Sequence, residues 1–217
     1  MLTWWITWNA RNRLLFKGEK INSNVSTAKA QAIVEDYQRV KHGGSSQAAN
    51  REDKKHYQWT PPPAGSFKIN VDVATNVEAK TVGLGAIIRD DKGRVVAVAV
   101  KPSRLSLDMQ FAEAEAVELA LQVAKEVQLT SIIIETDCQE VADLVNHKKG
   151  SKTEICWVIS AIQDMRGDFH KVTFQHTSRF TNELAHRLAK YALKSEKFSV
   201  WMDSFPNDIA CIFENFA

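Results

Sequence analysis

The sequence predicts an α/β domain, a mixed sheet with helices on both faces, and three observations carry that expectation. After Gly65, apolar Phe67, Ile69, Val71 and Val73 alternate with Lys68, Asn70, Asp72 and Ala74, the period-two signature of a strand of about eight residues. Two more strand-like runs follow, Val82 to Asp90 and Val95 to Val100, joined by the turn Asp91-Lys92-Gly93, so the first three strands form an antiparallel meander. Beyond them helical and strand patterns alternate, which calls for crossovers and a mixed sheet covered on both sides.

Each element follows from its local pattern. Trp4, Trp5, Trp8, Leu15 and Phe16 share one helical stripe, and Ala30 to Val40 is a second helical run with Ile33, Val34 and Tyr37 on one face. His42 to Asn50 is small, polar and glycine-containing, the composition of a linker. Trp59, Pro61-Pro62-Pro63 and Gly65 are stiff punctuation and place a boundary near 58–65. The expected organisation is a helical segment and linker at 1–58, the α/β domain at 59–196, and a tail at 197–217. Inside the domain, Gln110 to Val127 is helical, Ser131 to Thr136 (SIIIET) is a buried strand, and Asp137 is expected to cap the next helix. A helix from Thr153 or Glu154 to Met165, a strand from Lys171 to His176 and a helix from Asn182 to Leu193 complete the order β-β-β-α-β-α-α-β-α.

Composition excludes several classes. Apolar residues are 44% and charged residues 25% of the 217, which is globular and not disordered composition. Cys138, Cys156 and Cys211 cannot all pair and lack finger spacing, against a disulfide scaffold or a structural zinc site and in favour of a reducing compartment. No apolar run reaches the ~18 residues a membrane span requires. The Trp-rich start is interrupted by Asn9, Arg11, Asn12 and Arg13 and is not a secretory signal, so an intracellular protein, nuclear or cytoplasmic, is expected. A monomer is the expected state. Net charge is only +2, but residues 1–58 hold 10 Lys/Arg against 5 Asp/Glu. That basic segment either reaches for an anion such as nucleic acid or is a solvated helix surface.

Three acids sit where packing does not explain them. Asp72 lies inside the apolar strand KINVDVA, Asp137 ends a strand of three isoleucines, and Glu113 opens the helix AEAEAVELAL. Singly each has an ordinary reading, with Asp137 a helix cap, Glu113 a first-turn acid and Asp72 facing solvent. Jointly, strand centre, strand end and neighbouring helix start can converge at one end of a sheet. Clustered carboxylates then require cations, and hard oxygen ligands select Mg²⁺ or Mn²⁺.

The segments FKINVDVA, VGLGAIIRDDKGRVV, AEAEAVELAL, IIIETDCQEV and HTSRFTNELAHRLAK resemble type-1 ribonucleases H, in particular the plant reverse-transcriptase-like branch of non-LTR retroelement polyproteins and stand-alone genes. Its lead-in of Trp59, Pro62, Gly65, Lys68, Asn70 and Asp72 is nearly intact, and WWITWNARNRLLF resembles the segment that precedes the domain in such polyproteins. The resemblance covers residues 59–196 and implies a ribonuclease H-like three-layer α/β/α fold with a five-stranded mixed sheet. It implies a metal-dependent endonuclease acting on the RNA strand of RNA–DNA hybrids with two ions, Mg²⁺ or Mn²⁺. Asp72, Glu113 and Asp137 match three metal-binding acids, with Glu115 the reserve for Glu113, and His176 matches a mobile His of product release and proton transfer. His186 stands where cellular enzymes have a fourth Asp ligand, so it is expected as a ligand of a weakened second ion. Asp72-Val73-Ala74 replaces the frequent Asp-Gly-Ala.

Groups near the first strand, Asn70 or Asn76, are expected to read the 2′-hydroxyls of RNA, with Asn182 also at the nucleic acid. Arg89, Lys92, Arg94 or Arg179 would grip phosphates. The rival reading is a catalytically silent nucleic-acid-binding or protein-interaction module on the same fold. An integrase or exonuclease fits less well, because their carboxylate orders place the acids elsewhere and the Asn182-to-His186 helix resembles that of hybrid ribonucleases.

Overall fold

The structure, a computed structural model, describes residues 58–104, 108–147 and 155–214. The helices and linker expected before residue 58, and the basic cluster of Lys148, Lys149 and Lys152, lie outside the described residues. The elements are β1 (Phe67–Asn76), β2 (Thr81–Arg89), β3 (Val95–Arg104), α1 (Met109–Glu126), β4 (Ser131–Thr136), α2 (Gln139–His147), α3 (Ile155–Met165), β5 (Lys171–His176), α4 (Glu183–Ala192), β6 (Ser199–Met202) and α5 (Asn207–Glu214). The expected order therefore holds, with one strand and one helix added after residue 196.

The sheet runs β5-β4-β1-β2-β3-β6. β1 pairs parallel with β4, which pairs parallel with β5, and the remaining neighbours are antiparallel. Gly93, at φ 77°, makes the β2–β3 turn that a side chain would strain.

Alternation along the strands divides the interior in two. Ile69, Val71 and Val73 of β1 and Val82, Leu84, Ala86 and Ile88 of β2 pack with the Ala- and Leu-rich face of α1 and with α2 and α3. Each large aliphatic side chain fully buried there contributes about 1.5–3 kcal/mol. On the other face Ile87, Val98 and Val100 meet Leu184, Ala185, Leu188 and Ala192 of α4 and Ile209 of α5. Helices on both faces of one sheet give three layers.

The tail expected at 197–217 is part of this second face. Ser199–Met202 adds a sixth strand, pairing antiparallel with β3, where five strands are expected from the sequence. Ile209 is fully buried, Trp201 meets Tyr191 edge-on at 6.4 Å, and Phe205 meets Phe213 at 5.2 Å. A four-residue strand is too short to show a period, which is why the pattern misses it.

Two glycines set the height of α4. On β2, Gly83 and Gly85 share the α4 face with Ile87, and a Cβ at either position would collide with the backbone of Ala189. The helix therefore lies directly on the sheet beside Asp72, which pairs with Gly85. Among the described residues no helix is long and apolar enough to cross a membrane.

Candidate active site

The three acids singled out in the sequence meet at one notch in the sheet. The β1–β4 pairing ends with Val71 opposite Thr136, so Asp72 is the next β1 residue, beyond the last β4 partner, and Asp137 is the first residue past β4. β1 then turns back into β2 on one side while β4 leads on towards β5 on the other. This reversal between parallel strands is a topological switch point, where a crevice opens at the strand ends. α1 packs across β1 and sends Glu113 into that opening. Asp72, Glu113 and Asp137 each offer a carboxylate oxygen, all within 4.8 Å of one another.

Asp137 is not the helix cap expected. The Thr136 hydroxyl accepts the Cys138 N–H at 3.1 Å, and the first helical bond runs from Ala142 N–H to the Cys138 carbonyl. The cap position thus falls one residue later, and the Asp137 carboxylate faces the cleft. Glu115, the reserve for Glu113, instead neighbours Lys101 and Glu118, away from the cluster.

The electrostatics show what the cluster needs. Burial, then the Asp72 and Asp137 charges, push the Glu113 carboxyl up to about 8. Burial and Asp137 raise Asp72 to about 6, opposed by its hydrogen bond with His186. Glu113 Oε2 is buried and finds no hydrogen-bond partner among the described residues. An orphaned carboxylate oxygen beside two more carboxylates fits a divalent cation, which would remove the repulsion and coordinate the orphan.

His186 sits differently from the expectation. Its Nδ1 lies 2.6 Å from Asp72 Oδ2, and the imidazole is not in the oxygen cluster. With Asp72 ionised, Nδ1 carries the proton and donates, so the ring orients Asp72 instead of offering that nitrogen to a metal. Its position is fixed one turn earlier, where Asn182 Nδ2 donates to the Val71 carbonyl at 2.8 Å and the Asn182 carbonyl accepts the His186 N–H at 3.1 Å.

Several residues expected to touch nucleic acid point inward. Asn70 is fully buried. Its amide donates to Glu135 Oε2 at 2.9 Å and Asn182 Oδ1 at 3.1 Å, and its Oδ1 accepts from Trp59 Nε1 at 3.0 Å and Arg89 Nη2 at 2.7 Å. All four of its bonds are used, leaving none for a 2′-hydroxyl. Arg89 is buried beneath Trp59, its guanidinium 3.4 Å from the ring centroid, and desolvation lowers it to about 10 despite nearby Glu135. Asn182 is 1% exposed. Arg94 is paired with Asp90 at 2.7 Å. Asn76 accepts the Ala79 N–H in the exposed β1–β2 turn. Lys92 lies in the β2–β3 turn.

Arg179 does reach the site, its Nε 3.6 Å from Asp137 Oδ2 with the side chain largely exposed. His176 is exposed at the end of β5, in register with Thr136 and thus one strand from Asp137.

The cleft is about 340 Å³ and is lined by all three acids, His186, Arg179 and Lys190. Lys190 is missed by the sequence reading, although its spacing of four from His186 was a legible signal. Trp59, Lys68 and Glu135 are also missed as a network. Lys68 Nζ bonds the Thr60 carbonyl at 2.6 Å and Glu135 Oε1 at 3.1 Å, and Gln175 donates to Glu135 Oε1 at 2.7 Å. The lead-in motif is thereby explained as the buried bracing beneath Asp72, since 68, 70 and 72 share one strand face.

The sequence model of the reverse transcriptase-like family matches residues 70–192. No curated protein matches the chain. Among solved structures, RNase H1 from Halobacterium salinarum NRC-1 is 21% identical with a TM-score of 0.54, over 59% of this chain and 98% of that one. The N-terminal RNase H domain of a Mycobacterium tuberculosis protein is 19% identical with a TM-score of 0.54, over 59% and 94%. A compost-derived RNase H1 crystallised with an RNA/DNA hybrid is 18% identical with a TM-score of 0.54, over 59% and 96%. These likenesses are of fold. With the family match spanning more than half of the sequence, the chain belongs to the reverse transcriptase-like family, and its described domain has the ribonuclease H-like fold.

Proposed function

We propose that the protein is a divalent-cation-dependent endonuclease that hydrolyses the RNA strand of RNA–DNA hybrids. The observation that carries this reading is the meeting of Asp72, Glu113 and Asp137 oxygens within 4.8 Å at the sheet's switch point. Asp72, Glu113 and Asp137 would hold the cation, Mg²⁺ or Mn²⁺. When bound it supplies positive charge at the attacking and leaving oxygens of the phosphodiester. Two ions is the number the resemblance implies, whereas the described residues offer a full carboxylate set for one.

The chain's own groups do the rest. His186 orients Asp72 through Nδ1, and Asn182 and Asn70 hold α4 against β1 so that this contact keeps its geometry. Arg179 and Lys190 meet the phosphates flanking the cleft, independently of sequence. The exposed imidazole of His176 exchanges a proton with the departing product. Membership of the plant retroelement-derived branch is part of the same reading, supported by the Trp59-to-Asp72 lead-in; action as an intracellular monomer is proposed with it.

A binding module without catalysis is the second reading. It is favoured by one observation, a histidine hydrogen-bonded to Asp72 where a fourth carboxylate ligand is expected. An end-labelled RNA–DNA hybrid incubated with purified protein in Mg²⁺ and in Mn²⁺ decides between them. Cleavage confined to the RNA strand and lost with EDTA supports the nuclease. Tight hybrid binding with no cleavage in either metal supports the module.

A further inference from the structure

We propose that the site takes a single divalent cation, held by Asp72, Glu113 and Asp137, and that His186, Arg179 and Lys190 leave no ligand set for a second. This rests on the cation-dependent reading above and deepens it. The free donor atoms are unevenly spread. Glu113 Oε2 is buried without a partner, so the cluster is incomplete without one ion. Asp72 Oδ2, the oxygen turned toward α4, is taken by His186 Nδ1 at 2.6 Å. If each of two ions took one Asp72 oxygen, the second would have to share Oδ2 with His186 Nδ1, a proton-bearing nitrogen that has no lone pair of its own to give.

The remaining lining of the cleft agrees. Among the described residues it contains no fourth carboxylate, and beyond the three acids and His186 its ionisable residues are Arg179 and Lys190. With all three acids ionised, as ligands of a cation must be, three carboxylates against these two cations sum to one net negative charge. One dication turns this to a single positive charge, the complement of one phosphodiester. A second dication would bring three positive charges into a partly desolvated notch, beside an imidazole that is a poor ligand for Mg²⁺. Lys190 follows His186 by one helical turn and lines the same cleft, so a cationic side chain already stands near His186.

The test is a count of bound ions. The full-length, metal-free protein is titrated with MnCl₂ by isothermal calorimetry, and bound Mn²⁺ is examined by electron paramagnetic resonance. The expected result is one ion per chain with an uncoupled spectrum, both without nucleic acid and with a non-cleavable hybrid. His186→Asp, which frees Asp72 Oδ2 and adds an oxygen ligand, should bind two ions with a spin-coupled spectrum. His186→Asn keeps a donor toward Asp72, adds no charge and should stay at one, so the proposal remains testable if the Asp variant does not fold. Two coupled ions on the wild type overturn this inference and leave the nuclease standing. No ion on the wild type overturns the inference and the cation-dependent reading together.

Discussion

Glu113→Gln removes one charge from the carboxylate cluster while conserving length and volume. In the metal-free fold the Glu113 carboxyl is raised from 4.5 to about 8, chiefly by burial and then by Asp72 and Asp137. The folded chain therefore holds that proton more tightly than the unfolded chain. Its stabilising contribution is complete below about pH 4.5 and is lost as pH rises toward about 8. At about 1.4 kcal/mol per tenfold change in proton affinity, the ceiling is ~5 kcal/mol. Water entry and rotation of the carboxylate toward the cleft reduce this to about 1–2 kcal/mol. The Gln variant should therefore melt about 3–8 °C higher than wild type at pH 8.5 in EDTA, and the gap should close by pH 4. Adding Mn²⁺ should raise wild type more than the variant, because a ligand stabilises most the form that binds it most tightly. Differential scanning calorimetry across that pH range reads all three. A variant that is less stable at pH 8.5, or a wild type whose melting ignores both pH and Mn²⁺, would refute the electrostatic account of the cluster.

Three further substitutions probe the supporting structure. Gly85→Ala puts a methyl against the Ala185 carbonyl at 2.7 Å and the Leu188 backbone at 2.9 Å, so the urea midpoint should fall by the equivalent of about 1–3 kcal/mol. Asn70→Ala strands Glu135, Arg89, Trp59 and Asn182 at once, and should cost at least ~3 kcal/mol in the same assay, whereas a surface-exposed Asn70 would cost almost nothing. His186→Asp exchanges a hydrogen bond for a fourth carboxylate, so it should lower the metal-free melting temperature and raise Mg²⁺-supported hybrid cleavage. If that variant leaves both unchanged, His186 has no bearing on the site.

Much of the architecture was legible because its signals are local. The period of two from Phe67 and the Asp91-Lys92-Gly93 turn specify the meander. An acid inside KINVDVA stands out against strand propensity, and the family resemblance puts Glu113 ahead of Glu115, which it keeps in reserve. What was not legible depends on long-range contact. Asn70 and Arg89 are polar positions of β1 and β2, and the expectation of helices on both faces does not say that these two lie beneath one of them. Here α4 covers that face, and Asn70 finds partners 65 and 112 residues away. The Asp137 cap was misjudged because Thr136 supplies the hydroxyl that holds the turn, one residue before the residue type that usually does. The role of His186 could not be read either, because the sequence gives the residue and not which of its nitrogens meets Asp72.

The central claim, a carboxylate-held cation site that cuts RNA paired with DNA, is tested most directly by hybrid hydrolysis with wild type and Asp72→Asn side by side in Mg²⁺ and in Mn²⁺. The volume-conserving change removes the carboxylate charge proposed to hold the cation, on a residue that is 2% exposed, while leaving the braced β1–α4 contact below it. The account predicts RNA-strand cleavage by wild type in at least one metal, and none by Asp72→Asn, with both proteins folded by circular dichroism. Equal cleavage by the two proteins, or no cleavage by wild type in either metal, would contradict it.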